Sequence, residues 1–144
     1  MKTELRYNIR ERWLTAIFEF AHIEYQSKLW IKAGYEGYAG SSTEAFSQYS
    51  DDLDLNNGYD CFLKEGIVTR KEVDIVIDFH DQLMCYLNRP EKLTLSDKNI
   101  LKDIEWIELT KLAKTCWDSL KKIIIEKKEL EYIELLETKF LNKR

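Results

Sequence analysis

The sequence has little proline and glycine, and it has no long apolar run. One proline and five glycines occur in 144 residues, and the longest purely aliphatic run is residues 123–125. A membrane-spanning helix needs about 20 apolar residues, so no membrane partner is expected. Three widely spaced cysteines without a C-x-x-C pair favour reduced thiols over a disulfide framework. The first residues, MKTELRYNIRER, lack the apolar core of a signal peptide, and we therefore expect a soluble, cytoplasmic protein.

Composition and charge narrow the function classes further. Apolar residues make up 44% of the chain and charged residues 33%, which is typical of a globular protein. A chain of this length predicts one domain, spanning residues 1–144. The net charge of −4 argues against a dedicated nucleic-acid binder, because such proteins need a broad cationic surface. No Gly-rich phosphate loop, zinc spacing or Ser-His-Asp order is present, and no cofactor is predicted.

Apolar residues recur every three to four positions over most of the chain, which predicts helices. Residues 5–33 hold no glycine or proline and read as one long helix. Thr69 and Glu72 form a capping box that opens a second helix, which should end near Leu87, ahead of Pro90. A helical pattern also covers residues 97–140, as one helix or two. The sequence therefore predicts an all-α fold, an irregular bundle of about four or five helices. The residues expected in its core include Phe18, Val76, Trp117 and Leu120.

Residues 33–66 read as an irregular segment that is acidic and rich in aromatic residues, with one short helix around residues 43–49. Between residues 33 and 63 there is no lysine or arginine, yet this stretch holds six acidic and six aromatic side chains. All of the net negative charge comes from this segment. Exposed aromatic rings and charges of one sign are typical of protein interfaces, and a negative field attracts a basic partner. The alternative is a solvated loop whose rings pack on the bundle, which we favour for Phe46 and Phe62. The predicted partner-binding residues are Tyr35, Tyr38, Asp51, Asp52, Asp54, Tyr59 and Asp60.

Within that segment, residues 51–60 have the alternating oxygen ligands of a calcium loop, DDLDLNNGYD. A loop that starts at Asp52 would need glycine at its sixth position and a bidentate glutamate at its twelfth. Those positions are Asn57 and Leu63. The pattern therefore does not predict an EF-hand site.

A second alternative is an enzyme. All-α metal phosphohydrolases hold divalent metal with a His … His-Asp … Asp order, which His22, His80, Asp81 and either Asp103 or Asp118 reproduce. Imidazole and carboxylate ligands of this kind activate water against phosphate. Both histidines also lie beside apolar helix stripes, where a core histidine is the simpler interpretation. On the first helix, Lys2, Arg6 and Arg10 form a basic stripe, interpreted as a solvated face.

The small, acidic, all-α chain with its acid-and-tyrosine segment resembles a bacterial immunity protein of the contact-dependent growth-inhibition type. This resemblance extends over the whole chain in character and involves no signature motif. It implies a protein that is not an enzyme and that binds and neutralises a cognate toxin domain, commonly a basic nuclease. The residues assigned to that binding are those of the acidic segment. The sequence does not indicate the oligomeric state of the protein.

Overall fold

In a computed structural model, which describes residues 2–141, the chain is helical and the described residues contain no strand. The all-α class is therefore confirmed. Four helices are long: α1, α5, α8 and α9. The bounds are α1 (Thr3–Ala21), α2 (Ile23–Gln26), α3 (Ser42–Ser47), α4 (Asp60–Lys64), α5 (Arg70–Leu87), α6 (Pro90–Leu93), α7 (Asp97–Ile100), α8 (Ile104–Ile123) and α9 (Lys127–Leu141). These nine described helices exceed the four or five expected, because five short pieces lie between the long ones.

The first long helix ends earlier than the sequence indicates. At His22 the backbone is extended, with φ of −132° and ψ of 99°, and the chain continues as α2 and a π-helical turn over Ser27–Ile31. Side chains satisfy carbonyl groups near the C-terminus of α1. The Nδ1–H of His22 donates to the carbonyl of Phe18 at 2.8 Å, and the Gln26 amide donates to those of Glu19 and Phe20. Because of these hydrogen bonds, the break leaves few carbonyl groups without a donor, although no glycine or proline marks it.

The predicted start of α5 is confirmed. Thr69 accepts from the backbone N–H of Glu72 at 3.2 Å, and the Glu72 carboxylate accepts from the N–H of Thr69 at 2.9 Å. Pro90 then opens the four-residue helix α6, where its missing N–H has no cost. The pattern over residues 97–140 resolves into α7, α8 and α9. The break between the last two falls at Ile124, whose ψ of 125° is extended.

The core lies where α1 packs against α8 and α9, and where α5 covers α8. The expected core residues Phe18, Val76, Trp117 and Leu120 are all fully buried. The rings of Phe18 and Trp117 meet edge to face, with centroids 5.3 Å apart. No helix in the described range 2–141 is long and apolar enough to span a membrane.

The basic stripe on α1 is not a solvated face throughout, because Arg10 is buried. Its guanidinium donates two hydrogen bonds to the Glu72 carboxylate, at 2.8 and 2.7 Å, and one to the carbonyl of Ile67 at 2.7 Å. It also donates to the carboxylate of Glu129 on α9. Burial alone would raise the pKa of Glu72, but the hydrogen bonds from Arg10 and Thr69 hold it below its usual value. This cluster joins α1, α5 and α9 at one end of the bundle.

Candidate partner-binding site

The segment predicted to be irregular is largely helical. Ser41 caps α3 by accepting from the N–H of Glu44 at 3.1 Å, and α3 runs directly into a π-helical turn over Gln48–Asp52. That turn ends with a bond from the N–H of Leu53 to the carbonyl of Gln48, at 3.1 Å. A 3-10 turn, Leu55–Asn57, and helix α4 follow. The short helix expected around residues 43–49 is confirmed as α3, whereas the 3-10 turn and α4 are too brief to show a helical period and were not predicted.

Most aromatic side chains of the segment point into the core. Phe46 and Phe62 are buried, which confirms that they pack on the bundle. Tyr59 is buried as well, so the prediction that it is a surface contact is wrong for this conformation. Its hydroxyl accepts from the indole N–H of Trp13 at 2.8 Å and lies 2.8 Å from the hydroxyl of Tyr49. These bonds hold the segment against α1.

Two other predicted tyrosines lie nearer the surface. Tyr35 is partly buried, and its hydroxyl donates to the carbonyl of Phe140 at 2.7 Å. Tyr38 is 43% exposed, and its ring lies 4.5 Å from the ammonium of Lys139. Of the three predicted tyrosines, Tyr38 is therefore the one whose ring is accessible to a partner.

The acidic side chains of the segment point outward. All six are exposed: Glu36, Glu44, Asp51, Asp52, Asp54 and Asp60. None of the six forms an ion pair with another residue in the described part of the chain. Ten of the twenty acidic residues elsewhere in the chain do form ion pairs, so the segment differs from the rest in having no ion pair at all among its described acids. We call these six residues the acidic surface.

Individual acids of this surface have different local settings. Asp54 has a left-handed backbone, with φ of 56°, which aspartate tolerates better than most residues. Asp51 accepts from the hydroxyl of Ser47 at 3.2 Å. It lines a groove of about 460 Å³ together with Phe46 and Met84, whereas Asp52 faces the opposite side of the turn. The structure therefore does not place all the predicted aspartates on one face.

A cleft separates the acidic segment from α1 and α9. Glu44, Gln48 and Asp52 are spaced four residues apart on one side of it. Its outer part has a volume of about 480 Å³, and its inner part has about 160 Å³. Thr15 and Gln48 line both parts, so these are neighbouring sections of one cleft, which we call the acidic cleft. The residues that line its outer part are Asn8, Glu11, Arg12, Thr15, Gln48, Asp52, Leu53 and Tyr132.

The inner part of the acidic cleft contains Glu19, a residue that the sequence did not single out. This side chain is only 7% exposed, and its Oε2 accepts from the indole N–H of Trp30 at 2.8 Å. Burial, with a smaller contribution from the charge of Glu44, raises the pKa of Glu19 to about 7. One sequence signal was available: Glu19 lies between two phenylalanines in the apolar run AIFEFA. A carboxylate in such a run has to be buried or to break the apolar face.

The proposed metal ligands are not gathered at one place. His22 bonds to its own helix, and Asp118 pairs with Lys114 at 2.7 Å. His80 is buried against Tyr49, 2.8 Å from its hydroxyl, and burial lowers the pKa of this imidazole. Asp81 is exposed. Within residues 2–141 no group of three or more His, Cys, Asp or Glu side chains is placed to hold a metal ion, so this geometry gives the phosphohydrolase alternative no support.

Comparison of the chain with protein-family models, with curated proteins and with solved structures gave no match. The function has to be inferred from the geometry of the chain itself.

Proposed function

We propose that this protein binds a basic protein partner through the acidic surface, in the manner of an immunity protein that neutralises a toxin domain. The observation that supports the proposal is the absence of ion pairs for the six exposed acids, within the described range. Unpaired carboxylates on a chain with ion pairs elsewhere leave a local negative field. Such a field attracts a basic partner and raises its association rate.

The way the segment is held adds to this interpretation. Its buried rings pack against α1, α5 and α8, as in the contacts of Phe46 with Trp106 and of Tyr49 with His80. The acids therefore project from a fixed backbone rather than from a loose loop. A preorganised surface loses less conformational entropy when it binds.

The proposal predicts that a neighbouring gene encodes a basic toxin domain, and the test uses that domain as the binding partner. Asp51, Asp52 and Asp54 are changed together to asparagine, and binding kinetics are measured at about 50 and 300 mM salt. We expect the association rate to fall several-fold and its salt dependence to weaken, because electrostatic steering acts mainly on association. Growth protection of cells that express the toxin should fall together with the association rate.

A matched control removes the same number of negative charges from residues outside the acidic segment. Asp78, Asp81 and Glu134 are exposed acids outside the segment, and their joint replacement by Asn, Asn and Gln also removes three negative charges. This control should bind the toxin domain with nearly the rate of the unchanged protein. Equal slowing in both triple variants would show that net charge matters and not the acidic surface. Unchanged kinetics in the Asp51, Asp52 and Asp54 variant would contradict the proposal.

A further inference from the structure

The inner part of the acidic cleft is a small pocket with acidic walls. Glu19 on α1 and Glu44 on α3 both line it, and Glu44 and Tyr38 are exposed at its rim. Its volume of about 160 Å³ has room for several water molecules, and therefore for a planar guanidinium or an ammonium group.

The Glu19 carboxylate is only half satisfied. Trp30 donates to Oε2, whereas no donor among the described residues reaches Oε1. Oε1 is not among the buried atoms that lack a partner, so it is open to solvent on the wall of the pocket while the rest of the side chain is buried. Oε1 is therefore an acceptor that a donor entering the pocket can reach, and a charged donor would be favoured because the site is largely shielded from water.

Both charged side chains that line this pocket are acidic. The side chains that line it from α1, α2, the following turn, α3 and the connecting loop include Glu19 and Glu44 and no lysine or arginine. Tyr25 and Tyr38 contribute the other titratable groups. Farther out, Glu11 and Asp52 outnumber the single cation of the outer part, Arg12. Lys139 is held at the rim, where its ammonium donates to the Tyr38 hydroxyl.

We propose that the inner part of the acidic cleft receives a lysine or arginine side chain of the basic partner, with Glu19 Oε1 and Glu44 as its acceptors. This inference rests on the proposed function and names the contact that anchors it. Arginine suits the pocket best, because its donors can reach two carboxylates at once and its plane can stack on tyrosine. A buried cation paired in this way would be a binding hot spot, in contrast to the exposed aspartates, which steer association.

The inference predicts that cation binding depends on the protonation state of Glu19. A cation beside Glu19 favours the ionised carboxylate, and this carboxyl has a pKa of about 7 in the free protein. Between pH 6 and pH 8 the ionised fraction rises about tenfold, from roughly one in eleven to ten in eleven. If only the ionised form binds, affinity for a cation should rise by about the same factor.

The experiment uses the full chain labelled with ¹⁵N and two small probes. Propylguanidinium reproduces the arginine side chain, and propylurea has nearly the same shape without the charge. The indole N–H of Trp30 bonds to Glu19 and therefore reports on the pocket; its resonance is assigned with Trp30→Phe. We expect a saturable shift with propylguanidinium, at least tenfold tighter than with propylurea and about tenfold tighter at pH 8 than at pH 6.

Three variants sharpen the result. Glu19→Gln keeps an acceptor for Trp30 but removes the charge, so the saturable shift and its pH dependence should vanish. Glu44→Gln changes an exposed side chain, which should not affect folding, and should weaken binding several-fold. Asp60→Asn removes an exposed acid that does not line the pocket, and should leave both measurements unchanged.

Several outcomes would overturn the inference. These are an equal shift in Glu44→Gln and the unchanged protein, equal binding of the two probes, and pH-independent binding. A saturable response to Mg²⁺ or Ca²⁺ at lower concentration than to propylguanidinium would make the pocket a metal site instead. A silent Trp30 resonance, together with slowed toxin association in the Asp51, Asp52 and Asp54 variant, would refute the pocket and leave the acidic surface standing. A saturable Trp30 shift, together with unchanged toxin association in the Asp51, Asp52 and Asp54 variant, would support a cation pocket and refute the acidic surface.

Discussion

Replacement of Arg10 by methionine tests whether the buried ion cluster holds three helices together. The side chains of Arg10, Glu72 and Glu129 are only 3%, 4% and 2% exposed. Methionine retains much of the apolar stem of arginine and removes the charge. Two carboxylates would then be buried without their cation, and the loss of one partner from a buried pair costs about 3–5 kcal/mol.

That cost is large enough to measure in two ways. Urea unfolding at pH 7 gives the change in the free energy of unfolding directly. For a chain of this size the unfolding entropy is about 0.3 kcal/mol/K, so the melting temperature should fall by about 10–17 °C. Arg70→Met is the control, because the Arg70–Asp74 pair is 75% and 62% exposed. An exposed pair of this kind contributes less than about 1 kcal/mol.

The pH dependence of the difference supplies an independent check. The pKa of Glu72 is lowered in the folded protein, so its contribution to stability is present above its unfolded pKa and is lost as pH falls through the folded value. The gap between the unchanged protein and Arg10→Met should therefore shrink as pH falls below about 4.5. A loss under about 1 kcal/mol at pH 7, or a gap that does not change with pH, would refute the role assigned to Arg10.

Two further predictions concern the core and the acidic cleft. Trp117→Ala should lower the free energy of unfolding by about 3–5 kcal/mol in urea unfolding, and a loss within experimental error would remove Trp117 from the core. The folded pKa of Glu19 is raised to about 7, so its stabilising contribution is complete below its unfolded pKa and is lost as pH rises through the folded value. Glu19→Gln should therefore gain stability relative to the unchanged protein between pH 5 and pH 8, and a difference that stays constant over that range would contradict the raised pKa.

The sequence predicted structural features correctly where the signal involves residues close together in the chain. A capping box needs two residues three positions apart, and Thr69 and Glu72 form it as expected. The apolar stripes also placed Phe18 and Trp117 in the core. Helix α6 was missed, since four residues make barely one turn and cannot show a period. Helices α2 and α7 fall in ranges predicted to be helical, but the breaks that separate them from α1 and α8 were not predicted.

Long-range pairing explains the errors on charged residues. Arg10 has the spacing of a solvated stripe with its neighbours on α1, but its partners are 62 and 119 residues away in the chain. Nothing near Arg10 in the sequence indicates that Glu72 and Glu129 will meet it. Glu19 is a similar case, because its donor Trp30 lies beyond a helix break that no glycine or proline announces.

The acidic segment shows how one composition serves two purposes. Its rings and its acids alternate along the chain, and the sequence indicated that both contribute to an interface. In the structure the buried rings, such as Tyr59, fix the segment to the bundle, and this is why the acids are left outside. An interface built on this segment would therefore depend on charge and on the pocket at Glu19, with Tyr38 as its exposed aromatic contact. Loss of Tyr59 would act through folding instead, because Trp13 and Tyr49 would lose their shared hydrogen-bond partner.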